Sequence, residues 1–147
     1  MISEILKEKT SADHLLYVSL KYTKTGDVIL NLIARWKSMI EISFNALLES
    51  ALKEKKIPYQ AGNPKEKIEF MKKAYKKFPE IQETIKLYIF FKQIPELPKT
   101  REGEFRKNVA LKVIRGSEEV RIDTEKLKEY AEILETFISQ VKHILSK

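Results

Sequence analysis

A chain of 147 residues has the length of one domain and can bury roughly two-thirds of its unfolded surface, so it can build a core without staples. It contains no cysteine, which excludes disulfides and thiolate metal sites. Its 28 basic residues outnumber 21 acidic ones for a net charge of +7, a balance that attracts polyanions but does not select a fold.

The opening stretch MISEILKEKT mixes acidic with apolar residues and has no long apolar run, so no signal peptide is expected. The densest apolar run, Leu87 to Phe91, is far short of the ~20 residues of a membrane span. A cytoplasmic protein without membrane association is expected. Lysine and glutamate dominate the charged set, a composition seen in heat-adapted organisms and equally produced by lineage bias. The charge is uneven: residues 57–100 hold 9 basic and 5 acidic side chains, the largest local excess.

In chain order, a first helix is predicted from Ser3 or Ser11 to about Lys24, with Ser11 as a possible N-cap and Leu15, Leu16, Val18 and Tyr22 as its stripe. Gly26 breaks it and Asp27 can cap the next. That second helix carries Val28, Ile29, Leu32, Ile33, Trp36, Met39, Ile40, Phe44, Leu47, Leu48, Ala51 and Leu52 at three- and four-residue steps. Leu30, Ala34, Ile42 and Ala46 widen its apolar girth, the mark of a helix at the centre or at a subunit interface. Residues 58–64 (PYQAGNP) form a turn-rich loop. A third helix is predicted from Lys65 to Phe78, and Pro79 opens a fourth that ends before Pro95. ELPKTREGE is a polar connection. Val109, Leu111 and Val113 alternate, as do Val120 and Ile122 beyond a turn at Arg115-Gly116-Ser117, which predicts a short β-hairpin. Phe105, Val109 and Val113 also fit helical spacing, so a helix stays open across 105–122. Asp123 caps the final helix, with Ile122 and Leu127 as a hydrophobic staple and Tyr130, Leu134, Phe137, Ile138, Val141 and Leu145 on its inner face. The pattern is mainly α: an antiparallel four- or five-helix bundle with a short β insertion, in a single domain over residues 1–147.

The order of these pieces resembles the HEPN superfamily of small helical bundles. SADHLLYVSLKYTKTGDV looks like the family's first helix. IARWKSMIEISFNALLESALKEKKIP looks like its long second one, with Ala34-Arg35-Trp36 ahead of Ala46-Leu47-Leu48. LPKTREGEF is similar to the stretch where arginine often precedes the last helix, and YAEILETFISQVKHIL to that helix. The resemblance covers most of the chain. It implies, for many members, a metal-independent ribonuclease in which arginine holds the phosphate and a histidine a few residues on moves the 2′-hydroxyl proton. Here Arg101 and Arg106 lie in the right region, but no histidine follows until His143. The resemblance therefore implies a non-catalytic member that binds RNA or nucleotide, or pairs with a nucleotidyltransferase-type partner.

Other chemistry is thinly supported. His14 and His143 could meet across neighbouring first and last helices, but a metal would need a third ligand that nothing supplies, so no metal or cofactor is expected. Glutamates interleave with lysines as on a solvated face. Ser38 and Ser43 have no neighbouring base. No glycine-rich phosphate loop exists.

KKAYKKF, residues 72–78, is the densest basic stretch. At 100° per residue its lysines share about a third of the helix circumference, diluted by Glu66 and Glu69. Ile68, Phe70, Met71, Ala74, Tyr75 and Phe78 point the other way. Such a surface is either a plain solvated face or a contact for phosphate backbones without base stacking. Lys72, Lys73, Lys76 and Lys77, with Arg101 and Arg106, are the expected phosphate contacts. Trp36, Ile40, Phe44, Tyr88 and Phe91, on the second and fourth helices, are the expected homodimer interface. A ribonuclease with divergent catalytic groups and an assembly subunit without a ligand are the alternatives.

Overall fold

The computed structural model describes residues 2–147, which are mainly helical with one small antiparallel sheet. Helix α1 (Ile2–His14) continues through a π-helical turn (Leu15–Ser19) into a last turn, α2 (Leu20–Tyr22). After it come α3 (Gly26–Lys53), α4 (Pro64–Ala74) and α5 (Pro79–Gln93), which passes into a 3-10 turn (Ile94–Glu96). Strands β1 (Lys99–Glu102), β2 (Ala110–Arg115) and β3 (Glu118–Asp123) precede α6 (Thr124–Leu145). No described helix is long and apolar enough to cross a membrane.

Local chemistry sets the helix starts. Thr25, not Asp27, caps α3, its hydroxyl accepting the Val28 N–H at 3.3 Å. Gly26 begins the helix instead of breaking the one before. A Cβ at this position would lie 2.8 Å from Cγ of Arg101, so glycine lets β1 close on the helix start. Asn63 caps α4 with Pro64 behind it, and Glu66 reaches back to the Gly62 N–H at 2.8 Å. That bond, first, and one from the Tyr59 hydroxyl hold the Glu66 carboxyl below its ordinary range. Asp123 caps α6 through the Lys126 N–H, and the staple residues Ile122 and Leu127 are both buried.

The first helix departs from its predicted form. It starts by Ile2, so Ser11 lies in its interior and caps nothing. The π turn inserts an extra residue into the winding and rotates the residues beyond it about the helix axis. Leu16 and Leu20 turn inward, while Val18 and Tyr22, expected in the stripe, are 40% and 78% exposed.

Helix α3, on the order of 40 Å long, is the spine. Rings from α5 and α6 pack along it. Trp36 stacks on Phe91 at 6.0 Å and meets Tyr130 edge-on, and Phe44 meets Tyr88 and Phe137 at 5.4 and 5.8 Å. The pairing order makes α5 antiparallel and α6 parallel to α3. This corrects the expected dimer interface. Trp36, Ile40, Phe44, Tyr88 and Phe91 are all buried within one chain, because α5 and α6 flank the spine and cover its wide apolar girth.

The hairpin reading at 109–122 holds, and the helical alternative does not. Strand order is β1-β2-β3, all antiparallel, with Leu111 opposite Ile122 and Val113 opposite Val120. Leu111, Val113 and Ile122 are buried. Gly116, at φ +64°, makes the two-residue turn with Ser117. Strand β1 lies in the stretch read as a polar connection. On the outer face Glu102 accepts bonds from Arg121 at 2.7 Å and Lys112 at 2.9 Å.

Candidate nucleic-acid interface

Helix α4 ends at Ala74, four residues short of the predicted end, and the chain turns through residues 75–77 before α5. The turn is fixed by Tyr75, which is buried and donates from its hydroxyl to the Leu47 carbonyl at 2.6 Å. Burial, with the charge of Glu54, pushes its phenol up to about 12. Phe70 and Met71 are buried on the same side. The inward aromatics leave Lys72, Lys73, Lys76 and Lys77 on the outside, all exposed. Among the described residues none of the four has a carboxylate partner. Lys72 and Lys73, in the last turn, also face the negative end of the α4 dipole. Lys56, beyond the end of α3, sits 5.7 Å from the Tyr75 ring, but its ammonium is paired with Glu54 at 3.1 Å.

The six expected phosphate contacts do not form one surface. Tyr75 bonds Leu47 near the C-terminal end of α3, whereas Arg101 bonds Asp27 at its first turn. Twenty residues of helix, roughly 30 Å, separate the two ends. Arg101 is also not free. Its guanidinium holds Asp27 at 2.5 Å and lies 3.9 Å from Glu104, clamping β1 to the start of α3. It is a structural clamp, and the expectation of an open phosphate contact there is corrected. Arg106, in the loop before β2, is exposed and has no side-chain partner among the described residues.

The two histidines do not meet. Lys9 bridges to Glu135 at 2.5 Å, aligning α1 with the middle of α6. Leu16 and Leu20 line a depression with Thr124 and Lys128, so the two run antiparallel. His14 and His143 then lie on opposite sides of that bridge, roughly 20 Å apart. Among the described residues no three histidine, aspartate or glutamate side chains gather to hold a metal ion.

A second place was missed from sequence. A groove of about 770 Å³ between α1 and α3 is lined by Thr10, Ser11, His14, Asn31, Arg35 and Ser38. His14 immediately precedes the π turn, with its Nδ1 3.5 Å from the Ser19 hydroxyl, and Arg35 reaches Glu8 at 3.4 Å. The signal was weak: these residues recur on the polar side of two separate helices, and only their antiparallel packing joins them. The comparisons add no relative to this geometry: no family model, no curated protein and no solved structure matches the chain.

Proposed function

We propose that this chain is a non-catalytic, HEPN-like helical bundle that binds RNA or nucleotide by its phosphates. The observation that carries this reading is the unpaired group Lys72, Lys73, Lys76 and Lys77, held outward by a buried Tyr75. Four exposed ammonium groups with no competing carboxylate form a surface that releases counterions on meeting a phosphate chain, with no reading of base sequence. The HEPN-like part rests on the long α3 carrying Ala34-Arg35-Trp36, the basic stretch ahead of α6, and α6 packed beside the spine. The three-stranded sheet before α6 is a departure from a plain bundle. A nucleotidyltransferase-type partner belongs to the same reading, as does self-association, the latter on a surface other than the buried α3–α5 face. Light scattering at micromolar concentration tests the pairing: a single 17.2 kDa particle removes it.

The test of binding is fluorescence anisotropy of labelled RNA across salt. Affinity that falls steeply with salt, and is weakened by Lys72→Glu/Lys76→Glu, supports the reading. No binding at low salt leaves an assembly subunit without a ligand.

The groove between α1 and α3 favours a second reading, a divergent metal-independent ribonuclease. It places an imidazole that can move a proton and a guanidinium that can hold a phosphate, His14 and Arg35, on one concave surface, with Arg35 shared with Glu8 at 3.4 Å. RNA cleavage that persists with a chelator and is abolished by His14→Ala establishes it. Intact RNA removes it.

A further inference from the structure

The end of the molecule opposite the Lys72–Lys77 surface combines features that the phosphate reading does not use. Tyr22 is 78% exposed and Phe105 is 76% exposed. The chain brings them close: the Phe105 N–H donates to the carbonyl of Lys24, two residues after Tyr22. Tyr17, also exposed, lines a depression of about 290 Å³ beside them. These three are the aromatics that have no aromatic neighbour among the described residues, whereas the others pair with one another inside or against the core. Phe105 holds a left-handed backbone, φ +65°, which is unfavourable for a bulky side chain. The loop keeps a ring in water at a backbone angle that glycine would adopt freely.

The charged side chains that line the depression are all cations. Lys21, Lys24, Lys107 and Lys128 line the same depression, and Arg106 follows Phe105. The ammonium of Lys21 lies 5.9 Å from the Tyr22 ring. Three carboxylates at this end are engaged, Asp27 on Arg101, Glu104 at the Gly26 N–H and Asp123 on the N–H of Lys126, while Glu125, next to Thr124, is exposed and has no ion-pair partner among the described residues. The depression also opens at Thr124, the first residue of the 22-residue α6, where the helix dipole is positive.

We propose that this surface is a separate site for single-stranded nucleic acid, with unpaired bases stacking on Tyr22 and Phe105, Tyr17 extending the platform, and the lysines holding the phosphates. Exposed rings among cations are what a single strand engages, since its bases present π-faces beside a charged backbone, and a duplex hides those faces. A second copy of this chain would bring the same positive charge to the same place. The ligand class is shared with the proposed function, but the residues are different and lie roughly 30 Å away along α3.

The experiment compares labelled single strands of about 12 nucleotides, RNA and DNA, with the corresponding duplex. Both strands are expected to bind, because stacking and phosphate contact use no 2′-hydroxyl. Tyr22→Ala/Phe105→Ala replaces two exposed rings and leaves the core untouched. It is expected to weaken single-strand binding by roughly tenfold or more while changing duplex binding by less than about twofold. Equal loss on both forms, no loss on either, or no single-strand binding by the native protein overturns the site. Lys72→Glu/Lys76→Glu, measured alongside, separates the two claims. A loss with that variant and none with the aromatic one sinks the platform and leaves the phosphate surface. The reverse pattern sinks the phosphate surface and leaves the platform.

Discussion

Phe105 is one of two non-glycine residues with a left-handed backbone, the other being Lys55, and its exposure makes that strain testable apart from binding. A left-handed backbone costs a non-glycine residue about 1–2 kcal/mol, against roughly 0.5–1 kcal/mol of added chain entropy for glycine. Phe105→Gly is therefore expected to leave stability unchanged or raise it by up to about 1.5 kcal/mol, a melting temperature higher by about 3–6 °C at most. Scanning calorimetry reads it. A clear fall in melting temperature would mean the ring supports the fold. The same residue shows where sequence reading stops. Its spacing to Val109 and Val113 fits a helix, and nothing in a phenylalanine announces a positive φ. Trp36 and Phe44, by contrast, are legible as core-grade residues. Their partners in the structure come from the same chain and not from a second molecule, and one-dimensional patterning does not say which helix covers which face.

At the scale of elements, the helices are legible because their apolar spacing and their caps agree. Asp123 before α6 and Pro79 at the head of α5 mark starts that the structure keeps, while α4 begins at Pro64, one residue before its predicted start. The π turn is not legible, since it shifts the phase of a stripe without changing composition. Strand β1 is not either. Its side chains are mostly exposed, so no alternation marks it, and it exists because β2 offers an open edge. Its outer-face charges carry a prediction. The hydrogen bond from Lys112, then the Lys112 charge and the Arg121 bond and charge, outweigh desolvation and hold the Glu102 carboxyl below its usual range. An unfolded glutamate titrates near 4.3. The contribution of Glu102 to stability is thus present above about pH 4.3 and is lost as pH falls through the lower folded value. Glu102→Gln is expected to melt below the native protein at neutral pH, with the gap closing in strong acid. Melting followed by circular dichroism from neutral to acid pH checks it, and a gap that does not change with pH contradicts the ion-pair account.

At the scale of the molecule, one substitution separates a core within the chain from a core shared between chains. Phe44 sits between Tyr88 and Phe137 in the interior. Phe44→Ala is expected to cost about 3–5 kcal/mol. Because the burial is within one chain, that loss should be independent of protein concentration in urea unfolding. A loss that shrinks as concentration rises would restore the ring to a subunit interface. The candidate sites are legible in proportion to their sequence locality. Lys72–Lys77 lie in one run and stand out from the sequence. The groove holding His14 and Arg35 and the platform of Tyr22 and Phe105 join distant segments, and only folding assembles them.

The central claim is that unpaired surface cations bind a phosphate chain, and the most direct measurement is RNA affinity against salt. Log affinity is expected to fall linearly with log salt, with a slope of about −0.7 per phosphate neutralised on a single strand. Lys72→Glu/Lys76→Glu should make that slope shallower by about one to two. An affinity indifferent to salt, or a slope the double variant leaves unchanged, would contradict it.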